Sequence, residues 1–226
     1  MTIIKRFVPF GLSVIFVLLV GGCHHDQKQV ESIHHDLKQS AQIEKTFAEN
    51  QETLGKVNRK EHNLYKTIIS LNVNQTDKIQ SAIKKAQKYN KKQQQALKTA
   101  KKHFKQAFTE VSSMEPVVEK INDTKQKKAA SKVVELMEKR HHLYQSYNKK
   151  YSHALALNHD FYKQLAKQEY KVSELDQQIE EINHVYDDMK SLKQQFNRYT
   201  KQYNKAKIEY YQKAGLEVKS QDNSNP

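Results

Sequence analysis

The sequence predicts an all-α fold, an elongated antiparallel bundle of about four long helices with coiled-coil-like seams. Three observations carry that prediction. Apolar residues recur at alternating spacings of four and three over most of the chain. Lys, Gln, Glu, Ala and Leu, all good helix formers, are abundant throughout. Beyond residue 22 only Gly55, Gly215, Pro116 and Pro226 are available to interrupt a helix, which leaves too few turn formers for an all-β domain or a loop-built active site. A hydrophobic content of 37% favours thin seams between helices over a large globular core.

The first predicted helix covers about residues 27–71, with Ile33, Ile43, Phe47, Leu54, Val57, Leu64, Ile68 and Leu71 on one seam. It stops at Asn72-Val73-Asn74, and Thr76 or Asp77 caps the second. The second helix has the cleanest stripe: Ile79, Ile83, Ala86, Asn90, Gln93, Leu97, Ala100, Phe104, Ala107, Val111, Met114, Val118 and Ile121, of which only Asn90 and Gln93 are polar. Because the register runs on through Pro116, the sequence predicts a kink there and the break at Asn122-Asp123-Thr124. The alternative is a stop at Ser112, where Ser112-x-x-Glu115 has the form of a capping box.

The third helix, about 124–170, places Val133, Met137, Tyr144, Tyr147, Tyr151, Ala154, Phe161 and Leu165 in register. Ser173 is read as the cap of the fourth, in which Leu175, Ile182, Met189, Phe196, Tyr203 and Tyr210 recur every seven residues, with Ile179 and Tyr186 beside them. Gly215 supplies its stop. Helices of roughly 40–47 residues would each span ~60–70 Å, and short connections between them favour antiparallel neighbours. The expected organisation is a leader over 1–22, a tether over 23–27, the helical domain over 28–215 and a disordered polar tail over 216–226.

The leader is the sharpest signal in the chain. Lys5-Arg6, an apolar run from Phe7 to Val20 and then Gly21-Gly22-Cys23 make a secretory signal peptide, too short for a membrane span of roughly 20 apolar residues. An aliphatic residue, two small residues and Cys form a lipobox, and Cys23 is the only cysteine. It therefore lacks an intramolecular disulfide partner, and acylation is its most economical role. At about 0.8 kcal/mol per buried methylene, two acyl chains hold a protein on a membrane stably where one does not. A diacylglyceryl-Cys23 would place the rest of the chain on the outer face of the cytoplasmic membrane, facing the cell wall, and exclude nucleic acid as its natural partner.

Loss of Lys5 and Arg6 leaves a formal charge of +12. The charge is concentrated: from Lys78 to Thr109 there are ten lysines and no acid. With the seam placed as above, Lys84, Lys88, Lys91, Lys98, Lys102 and Lys105 form one outward stripe, flanked by Lys78, Lys85 and Lys92. Like charges at i, i+4 each cost a few tenths of a kcal/mol, so the pattern calls for a bound polyanion. It is equally consistent with a solvated face, or with neutralisation by Glu174, Asp176, Glu180 and Glu181 at the start of the fourth helix.

Catalytic motifs are missing from the sequence: there is no G-x-S-x-G, no H-E-x-x-H and no phosphate-binding glycine loop. The histidine pairs His24-His25, His34-His35 and His141-His142 diverge by about 100° on a helix and encode no local metal site. They are read as solvated. The seam tyrosines, Tyr144, Tyr147, Tyr151, Tyr186, Tyr203 and Tyr210, are read as packing residues, with sugar stacking as the other use of such rings. No enzyme activity, metal or cofactor is called for.

A lipobox, Val20-Gly21-Gly22-Cys23, followed by a Lys/Gln-rich, tryptophan-free chain of about two hundred helical residues resembles the YkyA-type lipoproteins of low-GC Gram-positive bacteria, described as binding the cell wall. The resemblance covers nearly the full length and implies wall association, with no activity and no binding residues to transfer. The first expectation is thus a non-enzymatic lipoprotein that grips anionic cell-wall polymer, teichoic acid or peptidoglycan, through the lysine stripe. The alternative is a structural or scaffolding coiled-coil protein that uses its seams to join envelope proteins or itself.

Overall fold

A computed structural model describes residues 15–19, 26–72, 74–168 and 170–220. Cys23 and the last six residues lie outside them, as does the leader apart from residues 15–19. In chain order the elements are β1 (Ile15–Leu19), α1 (Gln27–Ser70), α2 (Thr76–Ser112), α3 (Glu115–Val118), α4 (Thr124–Lys167), α5 (Val172–Lys213) and β2 (Leu216–Ser220). The fold is all-α in its body, with four long helices as the repeats require. β1 and β2 form an antiparallel ladder from Ile15↔Ser220 to Leu19↔Leu216. Residues 216–220 are therefore a strand within the segment read as a polar tail, and cleavage before Cys23 would remove the partner of β2.

Two compact units are present, each holding a stretch of every long helix. Among the described residues the first contains those within 49–101 and 145–193, the second 15–19, 26–48, 102–144 and 194–220. In the first unit Gln80 Nε2 donates to Ala166 O at 3.3 Å and Asn90 Nδ2 to Leu155 O at 3.0 Å. Rising numbers on α2 meet falling numbers on α4, so the two are antiparallel. Lys150 with Asp188 (2.6 Å) and Leu157 O with Gln178 Nε2 (3.1 Å) relate α4 to α5 in the same way.

Apolar burial builds each core. In the first unit Ile68, Ile83, Phe161, Leu175 and Ile182 pack together, and Leu54, Leu97, Tyr151, Leu155 and Met189 form a second cluster. The second unit is centred on Phe47, Phe104, Tyr144 and Phe196, with ring centroids 4.8 Å (Phe47–Phe104), 5.0 Å (Phe47–Tyr144) and 5.3 Å (Phe104–Phe196) apart. Such tilted aromatic pairs add about 0.5–1.5 kcal/mol each beyond the area they bury.

Each unit also buries a polar cluster that hydrophobic periodicity does not reveal. In the second, Arg140 and Glu44 form an ion pair with two hydrogen bonds, one of them from Arg140 Nη1 to Glu44 Oε1 at 3.2 Å. The guanidinium donates to Thr200 Oγ1 at 3.2 Å and lies 4.5 Å from the Tyr203 ring, 5.3 Å from Phe104 and 5.4 Å from Phe196. Lys207 Nζ sits over the Tyr203 ring, 4.7 Å from its centre. Burial would raise the Glu44 carboxyl pKa, but the charge and hydrogen bonds of Arg140, helped by Lys207, hold it below the ordinary range. Burial lowers the pKa of Lys207, Glu44 opposes that, and Arg140 adds to it.

In the first unit the buried carboxylate is Glu61, bonded by the side-chain amide of Gln93. Tyr151 OH donates to Gln93 Oε1 at 2.7 Å, which turns that amide so that its N–H faces Glu61. Burial pushes Glu61 up to about 6, against the pull of Gln93, Tyr162 and Asn90.

The seams bear out the periodicity with specific exceptions. Along the stripe of the second predicted helix every residue from Ile83 to Ile121 is buried, on α2 and beyond its end. On α5 Leu175, Ile182, Met189, Phe196, Tyr203 and Tyr210 are all buried. On α1, however, the buried line runs through Ser40, Glu44, Gln51 and Glu61, while Ile43 and Val57 are only half-buried.

The expected continuation of the second helix through Pro116 is not what forms. α2 ends at Ser112, and a separate one-turn helix, α3, starts at Glu115 with Pro at its first or second position. Proline has no N–H to give the carbonyl four residues back, and its ring clashes with that carbonyl. The capping box is not used either, since the Ser112 hydroxyl donates to Thr109 O at 3.1 Å. Burial nonetheless stays in phase through Met114, Val118 and Ile121. At the start of α5, Ser173 falls inside the first turn rather than at the cap. Gly215 does end that helix, with φ 72°, a left-handed value that glycine adopts without steric cost.

Candidate polyanion-binding face

Helical geometry fixes how the stripe lysines project. At about 100° per residue, Lys84, Lys88, Lys91 and Lys98 of the first unit fall within an arc of roughly 80° on α2 and over ~21 Å of its length. Lys102 and Lys105 lie on the stretch of α2 that belongs to the second unit. All six side chains are exposed, as are Lys78, Lys85 and Lys92 on the flank. None of the nine forms an ion pair among the described residues. Of the expectations for this face, neutralisation by the start of the last helix is the one the structure removes. Glu174 pairs with Lys171 at 3.2 Å and Glu181 with His153 at 3.3 Å, while Asp176 and Glu180 are exposed and unpaired.

One cation of this surface was invisible in the α2 sequence. Lys60, on α1, lies 5.9 Å from the ring centre of Tyr89, and Lys92 lies 5.7 Å from the same ring. Tyr89 thus holds two ammonium groups beside the stripe, each by a contact worth about 0.5–1 kcal/mol at an exposed site. No periodic signal in α1 marks Lys60, because its place depends on how α1 packs against α2.

The histidines do more packing than the solvated reading allows. The His141 ring stacks on Phe108 with centroids 3.9 Å apart and 8° between planes, and burial, then His142 and Lys105, lower its pKa. His34 meets Tyr211 edge-on at 6.0 Å. Among the described residues no group of three His, Cys, Asp or Glu side chains is placed to hold a metal. The seam tyrosines are core: Tyr144, Tyr151, Tyr203 and Tyr210 are buried, and Tyr147 and Tyr186 half-buried. No described helix is long and apolar enough to cross a membrane.

A four-helix protein with an unanswered lysine face can be compared with known families. The family YkyA, described as "Putative cell-wall binding lipoprotein", matches residues 28–213. The chain belongs to the YkyA family. The YkyA match runs from the second residue of α1 to the last residue of α5, so the helical body is what the family shares. Among curated proteins, the chain is similar to "Uncharacterized lipoprotein YkyA" of Bacillus subtilis (strain 168), with 34% identity over 212 residues, covering 94% of this chain and 95% of that one. No solved structure matches.

Proposed function

We propose that this YkyA-family chain is a non-enzymatic, lipid-tethered protein that binds anionic cell-wall polymer, teichoic acid or peptidoglycan, with the lysine face of α2. Its anchor is diacylglyceryl-Cys23 on the outer face of the cytoplasmic membrane. The observation that carries the reading is the run of exposed lysines with no counter-ion among the described residues. Such a surface repels itself until something anionic answers it. The family description supports wall binding as the setting.

Replacing Lys84, Lys88, Lys91, Lys98, Lys102 and Lys105 with Gln tests the reading. Six exposed charges at ~0.2–1 kcal/mol each amount to a loss of about tenfold or more in affinity, with helicity unchanged because the positions are off the seam. Binding of the wild type should also weaken steeply as salt rises. Equal binding of both proteins to purified walls at low salt would show that the lysines only solvate the helix, and a scaffolding role through apolar surfaces would then explain the family better.

The anchor is tested separately. Cys23→Ala should take up no labelled fatty acid, and the product should be released or retained as an uncleaved precursor. Label still entering that variant would contradict the tether.

A further inference from the structure

Within the first unit, Lys60, Tyr89 and Lys92 make a cation site out of two helices. The hydrogen bond from the Gln93 amide to the buried Glu61 carboxylate joins α2 to α1. Lys92 and Lys60, the residues just before those two, reach the surface at the same level. Tyr89, half-buried on α2, receives both: Lys60 Nζ lies 5.9 Å and Lys92 Nζ 5.7 Å from its ring centre. Lys85 and Lys88 are exposed on the same stretch of α2.

The acids near this site in the sequence are spent elsewhere. On α1, Glu61 is buried against Gln93, and Glu52 pairs with Lys56 at 2.6 Å. α2 has no acid between Lys78 and Thr109. Lys60, Lys85, Lys88 and Lys92 have no ion pair among the described residues. What gathers two of these ammonium groups against their mutual repulsion is the negative face of one ring.

That arrangement favours one kind of anion. An exposed lysine samples many rotamers, and ordering it is part of what binding costs; the ring has ordered two in advance. A tyrosine engaged by two ammonium groups is not a free platform for a sugar. A surface bearing only cations repels the amines of a peptide while it attracts the carboxylates. A phosphodiester chain meets neither obstacle, since every unit is anionic and offers unesterified oxygens to ammonium donors.

We infer that Lys60, Tyr89 and Lys92 are a phosphate site, where the two ammonium groups grip the phosphodiesters of a polyol-phosphate polymer that continues along the neighbouring lysines of α2. Tyr89 is a positioning residue, acting through the lysines it holds. The inference rests on the wall-polymer reading and narrows its two ligands to the phosphate-bearing one.

The full protein in neutral detergent should bind poly(glycerol phosphate) at least tenfold more tightly than peptidoglycan stripped of phosphate polymer. Lys60→Gln, which leaves the α2 stripe intact, should weaken binding of the phosphate polymer at least threefold. Tyr89→Leu should do the same, and Tyr89→Phe, which keeps the ring, should not. The double variant Lys60→Gln with Tyr89→Leu should lose less than the product of the single losses, because the ring works through the ammonium group. Inorganic phosphate should compete only at far higher phosphate concentration, since it cannot span several lysines at once. Stripped peptidoglycan bound as tightly as the phosphate polymer, inorganic phosphate competing as well as polymer, or Lys60→Gln and Tyr89→Leu binding like wild type would each overturn the site. If those two variants bind normally while the six-lysine variant does not, the site falls and the stripe stands. A six-lysine variant that binds normally while Lys60→Gln does not would support the site and remove the stripe.

Discussion

Glu44→Ala should destabilise the second unit by about 3–5 kcal/mol, the cost of leaving buried charge without its partner. Arg140 is fully buried and Lys207 almost so, and Glu44 is the carboxylate that faces both. The cation–π contacts with Phe104, Phe196 and Tyr203 soften that loss without replacing a counter-ion. Chemical denaturation and amide exchange in the second unit measure the effect. Adding Arg140→Met should recover most of the stability, because burial already favours the neutral form of Lys207. A double variant as unstable as the sum of the two single ones would mean the pair has no special coupling. The pH dependence has a definite sign. Since the folded carboxyl is held below its unfolded value, the pair's contribution is complete above the unfolded pKa and is lost as pH falls through the folded one.

Glu61→Gln should act in the opposite sense. Burial raises Glu61 to about 6 from an ordinary 4.5, so the folded first unit holds this proton more tightly than the unfolded chain does. Its contribution is complete below pH 4.5 and declines as pH rises through 6, a total of about 2 kcal/mol at roughly 1.4 kcal/mol per pKa unit. Glutamine keeps the shape and an acceptor for the Gln93 amide and carries no charge to desolvate. The variant should therefore be more stable than wild type at pH 7.5, and the two should converge near pH 4.5. Denaturation midpoints that stay parallel across that range would show that Glu61 does not titrate within the fold.

How much of this was legible depended on whether a seam position was apolar. α2 could be followed residue by residue because Ile, Leu, Ala, Phe and Val mark its stripe, and the same marks placed the lysines outside it. α1 could be followed less well, since Glu44, Gln51 and Glu61 look in sequence like ordinary exposed residues. The partners of Glu44 and Glu61, Arg140 and Gln93, are distant in the chain, and no local spacing connects them. The weight given to Pro116 was also a matter of periodicity. Burial stays in phase across the break, so the pattern ran on although the hydrogen bonding could not. Exposure of the stripe was readable from α2 alone, but its lack of neutralisation needed the pairing of Glu174 and Glu181 elsewhere.

The polar seam residues also distinguish one alignment of the helices from its shifted copies. A heptad stripe looks nearly the same after a slip of seven residues, because one aliphatic side chain replaces another. Glu44 does not. Moved one heptad, it would occupy the level now held by Leu37, leaving its carboxylate without Arg140 and Arg140 facing the uncharged Gln51. Glu61 and Gln93 impose the same condition on the first unit. Each unit thus carries its own lock, and a chain whose apolar residues would accept several alignments is left with one that satisfies its charges.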